Sequence, residues 1–535
     1  MKQNKGAART AEQIFLRNCE IRNGEFVRYY GKESEIVIPD SVTSISRDAF
    51  RDRRSLVSVT FGRNVAYIGK GAFRGCVNLR QILLPAGLLE IGEEAFYGCN
   101  SLLTVSLPRS VRAVGISAFR GCSSLSTLML SEGLEVVGLY AFSGCEALRE
   151  VILPESLVAL RRGTFFGCSS LTSIRIPQGV HSIGRHAFGG CTSLQSVELH
   201  DEIGYIGSGA FGECRALREF HFPPKVRYVA NRIFSGCTAL ETVTLPEEVL
   251  HVGQGAFCGC AALRELKLPD GVLRVEAEAF LGCASLRKLE LPSTVEAIGR
   301  RAFAYCTNIE EIQVPAPRLK RLEPETFHSC LSLRELRLPD GITLIDDQNF
   351  ARCISLKSIH IPSGLTYMED RVFMDCHSLE RISLPITLRR IGHAVFENCR
   401  ALETVLLPDR PIRTGNSLFA GCGALETLVL SDTMTRARRK IERWEVPAGV
   451  NRIYRSELKV AVLYVELARE DLDEEHRERI RQELREHIRK LKKRNRLHST
   501  KLIRENIRSA AQAIEEQQST VVDAEEPTEN GTENA

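Results

Sequence analysis

Cysteine is the residue in this chain best equipped for chemistry, with 18 copies among 535 residues. Clustered thiolates hold zinc, and facing thiols form disulfides. Their placement decides between these uses. Sixteen of them, from Cys76 to Cys422, recur in one slot of a regular interval, and only Cys19 and Cys258 stand elsewhere. Side chains stacked in a column point the same way, whereas a disulfide needs Cβ vectors that face each other. Zinc needs ligands converging on a tetrahedron, which a straight column does not supply. The expectation is therefore a column of reduced, buried thiols behaving as small hydrophobes. Cys258 and Cys260, a lone Cys-x-Cys around Gly259, belong to the same repeat context.

Other reactive patterns are missing. The 12 histidines show no metal spacing, and His181, His186 and His200 fall in different turns. There is no phosphate-binding glycine loop, nucleophile elbow or zinc motif. No cysteine follows Cys422, which excludes a thioester-forming ligase module in the tail. The sequence reads as non-enzymatic, with no cofactor and no metal.

What positions the cysteines is a repeated phrase, seen in Leu263 to Cys283 as LRELKLPDGVLRVEAEAFLGC. Its phenylalanine recurs 17 times from Phe50 to Phe419, with a step of 23 residues everywhere except one step of 24. A period that long and unbroken means a solenoid. Leu266, Lys267 and Leu268 alternate as a short strand with one buried face. Pro269 cannot donate to a continued ladder and ends it. Val272 and Val275 follow, then the Ala-Phe-x-Gly-Cys arm, whose Gly282 suits a tight bend. About seven inward residues per repeat contribute roughly 1.5–3 kcal/mol each when buried. Ordering the backbone costs on the order of 1–2 kcal/mol per residue. One coil cannot stand alone, but stacked coils can.

The coil at 79–99, LRQILLPAGLLEIGEEAFYGC, resembles the BspA-type (treponemal-type) leucine-rich repeat almost position for position, and the resemblance runs from 33 to 453. It implies an α/β repeat fold: a right-handed leucine-rich repeat solenoid of about 18 coils with one long parallel β-sheet. It also implies adhesion or partner binding outside the cell, and it brings no catalytic residue.

Composition fixes the class. The formal charge of +4 is small for this length and gives no overall affinity for nucleic acid or anionic lipid. No apolar run of about 18 residues is present to span a membrane. The N-terminus, MKQNKGAARTAEQIFLRNCE, has basic residues but no apolar core, so it does not read as a secretory signal. With the free cysteines, this points to a cytoplasmic monomer, the cell surface being the alternative that the resemblance implies.

In chain order, 1–11 reads as disordered. Residues 12–32 read as a hairpin cap, because Asn23-Gly24 sits between alternating arms. The solenoid occupies 33–453. In its 24-residue coil Leu319 and Leu322 sit one place later after Pro315, which places the extra residue in the turn beside Pro317. Near the end, Thr414 replaces an apolar residue, and a last strand is read at Ile441-x-x-Trp444-x-Val446. That strand would start 16 residues after Leu425, which would leave the preceding coil without its arm. Residues 454–516 read as amphipathic helices, at 456–470, 473–494 and 498–516. The first is expected to dock on the last coil and the others to cover it. Residues 517–535 are acidic and read as disordered.

Two surfaces are candidates for binding a protein partner. The first is the concave face formed by the third and fifth positions of Leu-x-x-Leu-x-Leu. It carries Glu219 and His221, Glu265 and Lys267, Lys288 and Glu290, Glu335 and Arg337, then His360 and Arg381. Its mixed signs can pair across strands for roughly a few tenths of a kcal/mol each. The columns contain no aromatic residue; their apolar members include Leu83, Met129, Ile152, Leu406 and Val429. The second is the basic run Arg489, Lys490, Lys492, Lys493, Arg494 and Arg496. Across 481–508 there are 11 Lys or Arg against 3 Glu. Such a run can touch RNA, anionic lipid or an acidic partner, but it has no aromatic residue for base stacking, which weighs against nucleic acid. The sequence thus reads as a protein-interaction scaffold.

Overall fold

The computed structural model describes residues 17–432, 441–454, 459, 463 and 474–493. The expectations for 1–11, 498–516 and 517–535, and for most of 456–470, lie outside the described residues. The chain divides into two compact units, Met1–Leu333 and Arg334–Ala535.

The first unit opens with an antiparallel hairpin, Cys19–Arg22 against Glu25–Tyr29. Asn23 and Gly24 take φ of 48° and 80° at its tip, the left-handed geometry for which this residue pair is suited. The second arm pairs in parallel with Ser44–Ile45, so the hairpin is hydrogen-bonded into the array. Phe26 stacks on Phe50 at 4.7 Å between ring centroids and covers the first coil's core with an aromatic face.

Most coils then offer two strands. The main one is three residues long, as in Gln81–Leu83, with its centre buried and both flanks exposed. A second, of two residues such as Glu90–Ile91, follows the proline turn and pairs with its equivalents. The long parallel sheet is therefore accompanied by a second, narrower parallel ladder. The main ladder runs from Glu35–Val37 to Thr127–Met129, thins to the single bridge Met129↔Ile152, and resumes at Ser173–Arg175. In the 24-residue coil, the Leu319 N–H donates to the Ala316 carbonyl at 3.0 Å, where other coils use the proline carbonyl. The extra residue therefore lies between Val314 and Ala316, at Pro315.

The arms carry the core. Phenylalanine rings from Phe50 to Phe327 stack at 4.7–6.1 Å between successive centroids. Alternate arm amides reach the next coil, as when Glu94, Phe96 and Gly98 donate to Ile116, Ala118 and Arg120 at 2.7–2.8 Å. Aiming them this way puts two residues per arm at positive φ, two before and two after the phenylalanine: Tyr140 at 57° and Gly144 at 74° in one coil, Arg371 at 56° and Asp375 at 60° in another. Glycine adopts this geometry freely and other residues at a cost.

The cysteine column is buried and free of disulfides, as its spacing implied. The thiols do more than fill space. Cys99 Sγ donates to the Phe73 carbonyl of the preceding coil at 3.2 Å, and Cys122 does the same to Phe96 at 3.3 Å. Each such carbonyl also accepts its own coil's cysteine N–H, as Phe73 does from Cys76 at 3.1 Å. The thiol thus uses the acceptor's second lone pair. In the first coil, Arg53 occupies the slot and donates instead to the Tyr29 carbonyl of the hairpin.

In the second unit Phe350, Phe373, Phe396 and Phe419 form a stack of their own, at 5.4–5.7 Å between centroids. Trp444 meets Phe419 edge-on at 6.3 Å, and its Nε1–H donates to Thr414 Oγ1 at 3.0 Å. This corrects the reading of the last coil. Residues 441–445 are no strand; they stand in for the arm, with the Trp444 carbonyl accepting from the Phe419 N–H at 2.9 Å. The strand comes later, at Asn451–Tyr454, paired with Thr427–Leu430. The coil's register is therefore nearly regular, with Thr427 opposite Asn451. The positions read as outward in these coils, Leu406 and Val429, are buried.

Beyond the coils lies one described helix, Glu474–Lys493. Its Leu484 forms a small core cluster with Leu463, against which Ile480 and Ile488 pack, and Lys459 pairs with Glu483 at 2.9 Å. Lys459 and Leu463 thus lie against this helix.

Candidate functional site

The main-strand flanks are where the sequence placed partner binding, and the fold leaves them open. In Glu219–His221, Lys288–Glu290 and Glu335–Arg337 the centre is buried and both flanks are exposed. Glu265 and Lys267 are also exposed, but their coil contributes to the main ladder through the bridge Thr242↔Glu265 rather than a strand. His360 lies opposite Arg337 in register, and Arg381 lies opposite Thr404.

Charge pairing on this face is local. Lys288 Nζ sits 2.9 Å from Glu290 and 3.8 Å from Glu311, and the hydrogen bond to Glu290 raises its pKa. His221 Nδ1 meets Thr244 Oγ1 at 3.1 Å, and His360 Nε2 lies 3.9 Å from Asp340. Glu265, Lys267, Glu335 and Arg337 make no ion pair among the described residues. The self-neutralised middle that the alternating signs suggested is thus confined to Lys288 and its two glutamates.

The basic helix is different. Lys490 pairs with Glu486 at 2.5 Å, and Arg481 and Arg485 flank Glu478 at 3.2 and 3.7 Å. Its own glutamates take up part of its charge. Arg489 is exposed. Lys492 and Lys493 end the helix, and Arg494 and Arg496 lie outside the described residues.

One cluster went unread in the sequence, because its members come from two coils. Asp347, Glu369 and Asp370 bring carboxylate oxygens within 4.8 Å of one another. Those groups already have work in the array. Asp347 accepts from the Asp370 N–H at 2.9 Å, Asp370 from the His393 N–H at 2.8 Å, and Glu369 pairs with Arg390 at 3.1 Å. Burial raises the Glu369 pKa, with Asp347, Asp346 and Asp370 adding to the effect and Arg390 opposing it.

A second unread feature lies on the arms. Arg74 and Arg120 lie over Tyr97 at 4.9 and 6.0 Å, and Arg120 and Arg162 over Tyr140 at 5.3 and 5.7 Å. The signal was present in the sequence: Arg74, Tyr97 and Arg120 share the slot directly after the phenylalanine, while Tyr140 and Arg162 precede theirs by two and three residues. Among the described residues, no helix is long and apolar enough to cross a membrane.

The model for the BspA type leucine rich repeat region (six copies) matches this chain at residues 20–149, 114–241, 229–320 and 320–441. Among solved structures, a leucine-rich repeat protein from Bacteroides ovatus ATCC 8483 is 22% identical, covering 81% of this chain and 94% of its own, with a TM-score of 0.40. A leucine rich cell surface protein from Faecalibacterium prausnitzii A2-165 is 23% identical, covering 79% and 94%, with a TM-score of 0.39. The T. pallidum leucine rich repeat protein is 26% identical over 45% of this chain and 83% of its own, with a TM-score of 0.20. No curated protein matches the chain.

Proposed function

Because the chain belongs to the BspA-type leucine-rich repeat family, we propose that it is a non-enzymatic scaffold that binds a protein partner through its main-strand flanks or its helical segment. The supporting observation is the exposed–buried–exposed pattern repeated in Gln81–Leu83, Thr104–Ser106 and Thr127–Met129. It separates the residues that hold the coil from those free to vary. Variation on a fixed frame is how solenoids recognise partners.

Pull-down from the native host tests this reading. Lys267→Glu with Arg337→Glu should abolish capture if the flanks bind. Arg489→Glu with Lys490→Glu should do so if the helix binds. Capture unchanged by both pairs would refute the proposal. Fractionation of the same host separates a cytoplasmic scaffold from a cell-surface adhesin. The column thiols do not decide between them: they are buried, as Cys99 is against the Phe73 carbonyl, and would stay unpaired in an oxidising compartment as well.

A further inference from the structure

The arms of four consecutive coils, at 115–122, 138–145, 161–168 and 184–191, contain no aspartate or glutamate. They expose Arg120, Arg161, Arg162 and Arg185, and none of these four has a carboxylate partner among the described residues. Ion pairs bound this stretch on both sides. Arg74 is held by Glu94, and Lys70 by Glu93 at 2.7 Å, while beyond it Glu213 is taken by Arg215 at 3.0 Å. Within the stretch two of the guanidiniums, those of Arg120 and Arg162, are held in place without being neutralised. Arg120 bridges the rings of Tyr97 and Tyr140, and Arg162 covers Tyr140 again. An arginine laid along an aromatic face has lost much of its rotamer freedom before any ligand arrives, and its planar fork still fits a carboxylate. Apolar groups lie among the arginines: Ile116 is 44% exposed and Phe166 is 42% exposed.

We propose that this face is a binding site for an acidic peptide segment of a partner, with apolar side chains set among its carboxylates. The composition of the patch selects that chemistry over other polyanions. The faces of Tyr97 and Tyr140 are occupied by guanidiniums, so they offer little for nucleobases to stack on. Ile116 and Phe166 need apolar contacts, which a sulfated polysaccharide does not provide. The site is separate from the main-strand flanks, so its failure would leave the scaffold reading standing.

The test uses the full chain and a fluorescent peptide, Glu-Glu-Asp-Leu-Glu-Glu-Val-Asp-Glu-Leu-Asp, read by anisotropy at low salt. Arg120→Gln with Arg162→Gln should weaken binding by about tenfold or more, the effect of losing charge-assisted contacts. Arg400→Gln, exposed on another arm, should leave it unchanged. Tyr140→Phe keeps the ring and should keep the affinity, whereas Tyr140→Ala releases both arginines and should lower it. Thermal melts of all variants distinguish a lost contact from a lost fold. Binding unaffected by the double variant, or no peptide binding at all, would overturn the proposal. So would tighter binding of a single-stranded oligonucleotide, heparin or phosphatidylserine vesicles than of the peptide.

Discussion

The arm and the main-strand flank belong to the same coil, yet they obey different constraints. Every arm from Phe50 to Phe419 repeats a buried ring, and nearly every one repeats a buried thiol. The flanks run through Glu219, Thr242, Lys288 and Glu311 with no rule beyond exposure. The difference is that arm groups satisfy the neighbouring coil's backbone while flank groups satisfy only themselves. Regularity in this chain therefore marks hydrogen-bonding duty between coils, and irregularity marks surface available for recognition.

The largest test of that division removes a ring. Phe257 is fully buried and stacks at 5.6 and 5.2 Å on its neighbours. Phe257→Ala should cost about 3–5 kcal/mol in urea unfolding, whereas Lys267→Ala should stay within about 0.5 kcal/mol. Equal costs would erase the distinction.

Next come the thiols. Burial pushes the Cys122 thiol up to about 12 from an ordinary 9.0. At pH 8 its thiolate, the reactive form, is then depleted about a thousandfold. Peptide mapping after native alkylation should find Cys19 and Cys258 labelled first, with the column labelled only after denaturation. The linkage has a definite sign. The unfolded chain releases these protons above about pH 9 while the folded one holds them, so stability should fall as pH rises from 9 toward 12. A flat alkaline profile would contradict it.

A smaller effect separates two kinds of glycine. Gly144 sits at φ 74° in an arm, and Gly144→Ala should cost about 1–2 kcal/mol. Gly204 has nothing within 4 Å of an added Cβ, and its φ lies outside the left-handed region. Gly204→Ala should be neutral or stabilising by up to about 1 kcal/mol. Smallest of all is the flank's own ion pair: Lys288→Ala should change the melting temperature only slightly, and less still in high salt.

Much of this was legible before any coordinates. The period named the solenoid, Asn23-Gly24 named the hairpin, and the 24-residue spacing pointed to the turn, although it put the extra residue beside Pro317 and not at Pro315. The second ladder was not legible, because a two-residue strand such as Tyr67–Ile68 is too short to show alternation. The last coil misled because Trp444-x-Val446-Pro447 imitates the Leu-x-Leu-Pro that ends a main strand elsewhere. The donor role of the thiols was hidden because a cysteine column looks the same whether it fills space or satisfies carbonyls. The arginine–tyrosine row was missed because its members shift from the slot after the phenylalanine, at Arg74, Tyr97 and Arg120, to slots before it, at Tyr140 and Arg162.

The amide ladder along the arms has a consequence for inheritance. Since Glu94, Phe96 and Gly98 present the same donors to the following coil that their counterparts present one coil later, every coil offers donors on one face and the matching carbonyls on the other. An in-frame deletion or duplication of one whole period would join matching seams and leave the rings and thiols in line. The single longer coil does not disturb this, because its added residue lies at a turn, away from those seams. Length in this molecule can therefore change between generations in whole coils, moving surface patches relative to one another without redesigning any part of the interior.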